Sequence, residues 1–121
     1  MAVVEDDPSM RRSIERLLNA YGYRTETYAS AESFLARKSD GDLGCIVLDI
    51  HLGGGMSGLQ LHRVLKDTNS SLAVIFITAV DDEALESEAV HAGCVAYLHK
   101  PFPADSLIGG VEKAFAGAWR N

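Results

Sequence analysis

Short apolar runs alternate with stretches of helical periodicity along the whole chain, and four of the runs end on polar side chains. Cys45-Ile46-Val47-Leu48, bounded by Gly44 and a glycine-rich stretch, has the length and composition of a buried strand. Leu43–Leu48 is therefore the expected central strand. Ala2–Glu5, Ala73–Ile77 and Val95–Leu98 read the same way, and Tyr23–Tyr28 alternates as a half-exposed strand does.

Helical patterns fill the gaps. Asp7 is placed to cap a helix with Pro8 at its first position, and Met10, Ile14, Leu17 and Leu18 form its apolar stripe up to Tyr21-Gly22. Ser30 caps a short helix carrying Phe34 and Leu35. Ser57 caps another with Leu59, Leu61, Val64 and Leu65 inward. Asp81–Ala92 is an acidic helix stopped by Gly93, and Pro103 opens a last helix through Leu107, Val111, Ala114 and Phe115. Gly109-Gly110 inside that helix should cost roughly 1 kcal/mol per glycine relative to alanine. Either close packing or mere tolerance accounts for the pair. Strands alternating with helices of this length imply βαβ units and a parallel sheet covered on both faces.

Composition narrows the class. With 121 residues, 47% of them hydrophobic and 23% charged, the chain suits one globular domain with a continuous core. A net charge of −6 argues against direct binding to a phosphate backbone. No apolar run approaches the ~20 residues a membrane span needs. Glu5, Asp6 and Asp7 sit where a secretory leader would be apolar, so a cytoplasmic protein with two reduced thiols, Cys45 and Cys94, is expected.

Chemistry collects at the carboxyl ends of the strands, where open α/β sheets build their sites. Those ends carry Glu5-Asp6, Asp49, Thr78 and Lys100. Singly, each has an ordinary reading: a capping aspartate, a solvated acidic turn, a strand threonine, a surface lysine. Together they form a constellation of acids, a hydroxyl and an ammonium. Clustered carboxylates repel one another and attract a hard divalent cation such as Mg²⁺. The pattern Gly53-x-Gly55-x-x-Gly58 formally matches a dinucleotide fingerprint. Asp49 would face the pyrophosphate, however, and three residues, Ile50–Leu52, separate the strand from the first glycine, so a loosened loop is the preferred reading. His51, His62, His91 and His99 lack zinc-ligand spacing.

Five segments in this order, Val3-Val4-Glu5-Asp6-Asp7-Pro8, Ile46-Val47-Leu48-Asp49, Met56-Ser57-Gly58-Leu59, Phe76-Ile77-Thr78-Ala79 and Tyr97-Leu98-His99-Lys100-Pro101-Phe102, resemble the receiver domain of two-component response regulators. The resemblance covers essentially the whole chain. Tyr28-Ala29-Ser30-Ala31-Glu32-Ser33-Phe34-Leu35 is similar to receivers of the FixJ- and NarL-like class, whose full-length forms carry a helix-turn-helix output. It implies a flavodoxin-like, doubly wound α/β fold with five parallel strands in the order 2-1-3-4-5. Residues 1–121 are then expected to be a single receiver domain without an output domain.

The resemblance makes Asp49 the phosphoacceptor. Mg²⁺ (or Mn²⁺) is expected on Asp6, Asp49, the backbone carbonyl of His51 and, through water, Glu5. Thr78 and Lys100 would contact the phosphoryl oxygens, Tyr97 would be the aromatic switch, and Lys100-Pro101 would be a cis bond. A sensor histidine kinase would donate the phosphoryl group. The domain would catalyse only its own phosphorylation and slow dephosphorylation. Phosphorylation would draw Thr78 inward, let Tyr97 rotate in and reshape the acidic helix, fifth strand and last helix. That surface could form a homodimer and control a transcriptional output, with no nucleic acid or membrane bound by the domain itself.

Two departures from the family pattern matter. Leu52-Gly53-Gly54-Gly55-Met56-Ser57-Gly58 is one residue longer than the usual segment and lacks its proline, which raises loop entropy and puts the ordering of the His51 carbonyl in question. Val80 offers no group to orient water, so a phosphoryl lifetime longer than seconds is expected. Rival readings fit less well. A haloacid-dehalogenase-type phosphatase needs an acid where His51 stands, and a flavodoxin-like flavin site would be repelled by Glu5-Asp6-Asp7. A receiver-shaped module that is never phosphorylated would not need the full acid, threonine and lysine set.

Overall fold

The computed structural model describes residues 1–37, 43–68 and 71–116. Five strands alternate with five helices: β1 (Ala2–Val4), α1 (Pro8–Ala20), β2 (Glu26–Tyr28), α2 (Ala31–Leu35), β3 (Cys45–Asp49), α3 (Gly58–Asp67), β4 (Ala73–Thr78), α4 (Glu83–His91), β5 (Ala96–His99) and α5 (Ala104–Ala116). The strands form one parallel sheet in the order β2-β1-β3-β4-β5, the order the receiver resemblance implies.

Alternation along each strand divides the core in two. Val4, Ile46, Leu48, Val74 and Phe76 pack with Phe34 of α2, Leu59 and Leu61 of α3, and Ala89 of α4. Val3, Cys45, Val47, Ile75 and Ile77 pack on the opposite face with Ile14 and Leu18 of α1 and Leu107 and Val111 of α5. Because β3 and β4 are buried on both faces, their sequences are continuously apolar rather than alternating. Burying Val47, Leu48 and Phe76 completely is what holds the polar ends of these strands in fixed register.

The capping residues behave as read. Asp7 Oδ1 accepts from the Ser9 amide at 2.9 Å with Pro8 in the first turn, and Ser30 and Ser57 each close a capping box. Differences lie at element ends. The strand expected over Tyr23–Tyr28 is only Glu26–Tyr28, because β1 offers three partners: Ala2, Val3 and Val4. Tyr23 instead stacks on Phe115, with ring centroids 5.5 Å apart. The acidic helix begins at Glu83, since Asp82 uses its side chain as the cap, accepting from Ala84 and Leu85. Packing explains one of the two helix glycines. A Cβ at Gly110 would lie 3.3 Å from Ala96 Cβ and from Ile75 Cδ1, whereas nothing surrounds Gly109 that would require glycine there.

Both cysteines are free thiols. Burial pushes the Cys45 thiol up to about 12, so it is chemically quiet. Among the described residues, no helix is long and apolar enough to cross a membrane.

Candidate functional site

Parallel strands in register bring their carboxyl ends to one edge, and that edge gathers the polar residues singled out above. Glu5 follows β1 and is fully buried, while Asp6 beside it is exposed. Asp49 is the last residue of β3 and only 4% exposed. Thr78 ends β4 and is fully buried, and Lys100 follows β5. Its bond to Pro101 is cis.

Lys100 is the hinge of the electrostatics. Its Nζ donates to Asp49 Oδ2 at 3.0 Å and to Glu5 Oε1 at 2.5 Å, bridging two buried carboxylates. Burial alone would lower the lysine pKa, but these two hydrogen bonds outweigh it and hold it above its ordinary value. Glu5 shows the opposite balance. Desolvation raises its pKa to about 7, and the bond from Lys100 offsets only part of that. The remaining oxygens are also engaged: Glu5 Oε2 accepts from the Asp7 amide at 3.2 Å, and Asp49 Oδ1 from the His51 amide at 3.1 Å. Arg11, which the sequence did not bring forward, donates Nη1 to the Glu5 carbonyl at 2.8 Å and ties α1 to this turn.

Glu5, Asp6 and Asp49 each offer an oxygen, all within 4.8 Å of one another. A hard oxygen donor set with one exposed member suits a cation that takes few carboxylates and keeps several waters, as Mg²⁺ does. Asp6 sits below the usual carboxylate range: modest burial raises it, but hydrogen bonds, chiefly from the Gly53 amide, prevail.

The glycine-rich segment after β3 is anchored at both of its ends. Ile50 and Leu52 are 2% and 6% exposed and belong to the core. The Gly53 amide donates to Asp6 Oδ2 at 3.2 Å, and the Met56 amide to Glu32 Oε2 at 2.7 Å. Gly58 marks where the returning chain presses on β3, because a Cβ there would lie 2.3 Å from the Asp49 carbonyl oxygen. The His51 carbonyl therefore lies on a fastened loop, not a free one.

Thr78 Oγ1 accepts from the Val80 amide at 3.1 Å. Tyr97, the expected aromatic switch, is half-buried, and its hydroxyl is buried with no hydrogen-bond partner among the described residues. Its ring meets His99 edge-on at 5.5 Å and packs beside the cluster containing Phe76 and Ala89. His62, a candidate ligand only by residue type, is a core residue 5% exposed and set edge-on to Phe76.

Fold, strand-end acids, threonine and lysine together define a receiver, and comparison with known proteins agrees. Residues 1–112 match the model of the response regulator receiver domain. The transcriptional regulatory protein TdiR of Thauera aromatica is 35% identical over 114 residues, covering 94% of this chain and 50% of that protein. The transcriptional regulatory protein FixJ of Bradyrhizobium diazoefficiens is 32% identical over 116 residues, 96% of this chain and 56% of FixJ. A response regulator receiver protein from Burkholderia phymatum superposes with a TM-score of 0.81 at 36% identity, covering 95% of this chain and 93% of that one. The chain belongs to the response regulator receiver domain family, a signalling family of two-component systems whose members typically bind Mg²⁺ and pair with histidine kinases. It spans about half the length of the curated relatives it matches.

Proposed function

We propose that this receiver takes a phosphoryl group from a sensor histidine kinase onto Asp49. The observation that carries the reading is Asp49 itself: a buried carboxylate with Lys100 on one oxygen and two further acids beside it. Such a group is costly to hold, and the reading gives that cost a use.

In the step proposed, an Asp49 oxygen attacks the phosphorus of a phosphohistidine. The P–O bond forms as the P–N bond breaks, and the departing nitrogen keeps the electron pair and takes up a proton. The protein's contribution is positioning and charge. Lys100 lies 3.0 Å from Asp49 and places a positive charge against the incoming oxygens. The hydroxyl of Thr78 already accepts from Val80 and keeps its own proton to donate to the phosphoryl group. Mg²⁺ or Mn²⁺, held by Asp6, Asp49, the His51 carbonyl and, through water, Glu5, would offset phosphoryl charge when bound.

The readout runs through Thr78 and Tyr97. Drawing Thr78 toward the phosphoryl group changes the packing next to Tyr97, whose buried hydroxyl has no hydrogen-bond partner among the described residues to hold it in place. The face of α4, β5 and α5 then switches, forms a homodimer and controls a transcriptional output, as the relatives named transcriptional regulatory proteins suggest. The domain works in the cytoplasm as one receiver over residues 1–121, without touching nucleic acid or membrane itself.

Acetyl phosphate, or beryllofluoride, with Mg²⁺ tests the reading. Wild type is expected to be modified and Asp49→Ala to be inert. A mass shift that persists in Asp49→Ala would break the assignment.

A further inference from the structure

We infer that Glu32, an exposed residue of α2, is a positioning residue for the metal site, acting as a clamp on the loop that carries the His51 carbonyl. The inference rests on the metal site proposed above and adds a residue outside the acid cluster.

Three observations converge on Glu32. Its Oε2 accepts from the Met56 amide at 2.7 Å, across 24 residues of sequence. That bond holds its carboxyl below the usual range although the residue is exposed. The loop also leaves room for it: a Cβ on Gly55 would lie 2.7 and 2.9 Å from the two carboxylate oxygens, so a larger residue there would push the carboxylate from this position. An acid in the first turn of a helix ordinarily just complements the helix dipole. Reaching a loop amide through a gap kept open by a glycine is a different arrangement.

The clamp matters because of what else holds the loop. Among the described residues, the side-chain acceptors of the amides between His51 and Met56 are Asp49, Asp6 and Glu32. Asp49 and Asp6 are proposed metal ligands, so a bound cation would share the carboxylates that hold the loop. Glu32 lies outside the acid cluster, so its carboxylate is not one a cation held there would draw on. It therefore fixes the loop when the other two anchors are being redirected, and outer-shell support of this kind governs metal affinity.

Mg²⁺ affinity by titration calorimetry, with hydrogen exchange of the Met56 amide, tests this on the intact chain. Glu32→Ala is expected to bind Mg²⁺ about 5- to 10-fold more weakly, near the low end for outer-shell changes. Its Met56 amide should exchange faster. Glu32→Gln keeps an acceptor oxygen and should stay within about 2-fold of wild type on both readouts. Gly55→Ala should mimic Glu32→Ala in the wild-type background and cause no further loss in the Glu32→Ala background. Equal Mg²⁺ affinity of Glu32→Ala and wild type overturns the inference. So does a Glu32→Gln variant as weak as Glu32→Ala, which would make the effect one of charge alone. Wild type that binds no Mg²⁺ overturns the metal site itself, and the inference with it.

Discussion

Replacing Lys100 by methionine isolates the electrostatic core of the site. The lysine side chain is 15% exposed, and its partners Glu5 and Asp49 are 0% and 5% exposed, so little solvent can take over its role. Removing one partner of such a buried pair typically costs about 3–5 kcal/mol, and the partly exposed lysine places the loss near about 3 kcal/mol at pH 8. Part of that loss depends on pH. In the metal-free wild type Glu5 has a folded pKa raised from 4.5 to about 7, so the native state holds its proton more tightly than the unfolded chain. That contribution is complete below 4.5, shrinks as pH rises and is gone above about 7. Without Lys100 the hydrogen bond that opposes the shift disappears, and the folded pKa rises further. As pH rises toward about 7 both proteins lose stability, the variant increasingly the more. Above 7 only the variant keeps losing it, by up to about 1.4 kcal/mol per pH unit. Urea unfolding in chelator at pH 6, 7 and 8 measures the difference between the two proteins. The deficit of Lys100→Met should grow from pH 6 to pH 8. A deficit below about 1 kcal/mol, or one that narrows at high pH, would refute the reasoning.

His62 is buried and its pKa is lowered by desolvation and then by Lys66, so the unfolded chain binds its proton first. Its contribution is present above about 6.5 and falls as pH drops below that; in urea unfolding at pH 7.5 and 5, His62→Leu should lose less stability than wild type over this interval. Gly58→Ala should destabilise by about 1–3 kcal/mol or more, because the new methyl meets β3 backbone that cannot swing away; thermal unfolding within experimental error of wild type would contradict the close approach. Val80, 42% exposed and without a water-orienting group, predicts a phosphoryl half-life longer than seconds with Mg²⁺ alone, measured as loss of phosphorylated protein after acetyl phosphate is removed; decay within seconds contradicts it.

The sequence carried the fold further than it carried the site. Period and caps were local, so Asp7-Pro8, Ser30 and Ser57 marked their helices directly. The length of β2 was not local, since it is limited by the three residues of β1 that it pairs with. Glu5, Asp6, Asp49, Thr78 and Lys100 were legible because parallel strands deliver their ends to one edge. Lys100 bridging Glu5 as well as Asp49 was not, because it depends on which carboxylate is buried. The fastening of the glycine-rich loop was hidden for a similar reason. Glycine composition reports the entropy of the free chain, whereas Ile50, Leu52 and the Glu32 carboxylate fix the folded one.

The central claim is that Asp49 carries the phosphoryl group, and locating the adduct tests it most directly. Protein treated with acetyl phosphate and Mg²⁺ is reduced with borohydride, which converts an acyl phosphate to an alcohol, and is then digested and sequenced by mass. The account predicts homoserine in place of Asp49 and unaltered carboxylates at Glu5 and Asp6. Reduction at Asp6, or at neither aspartate in protein that has gained phosphate, would contradict it.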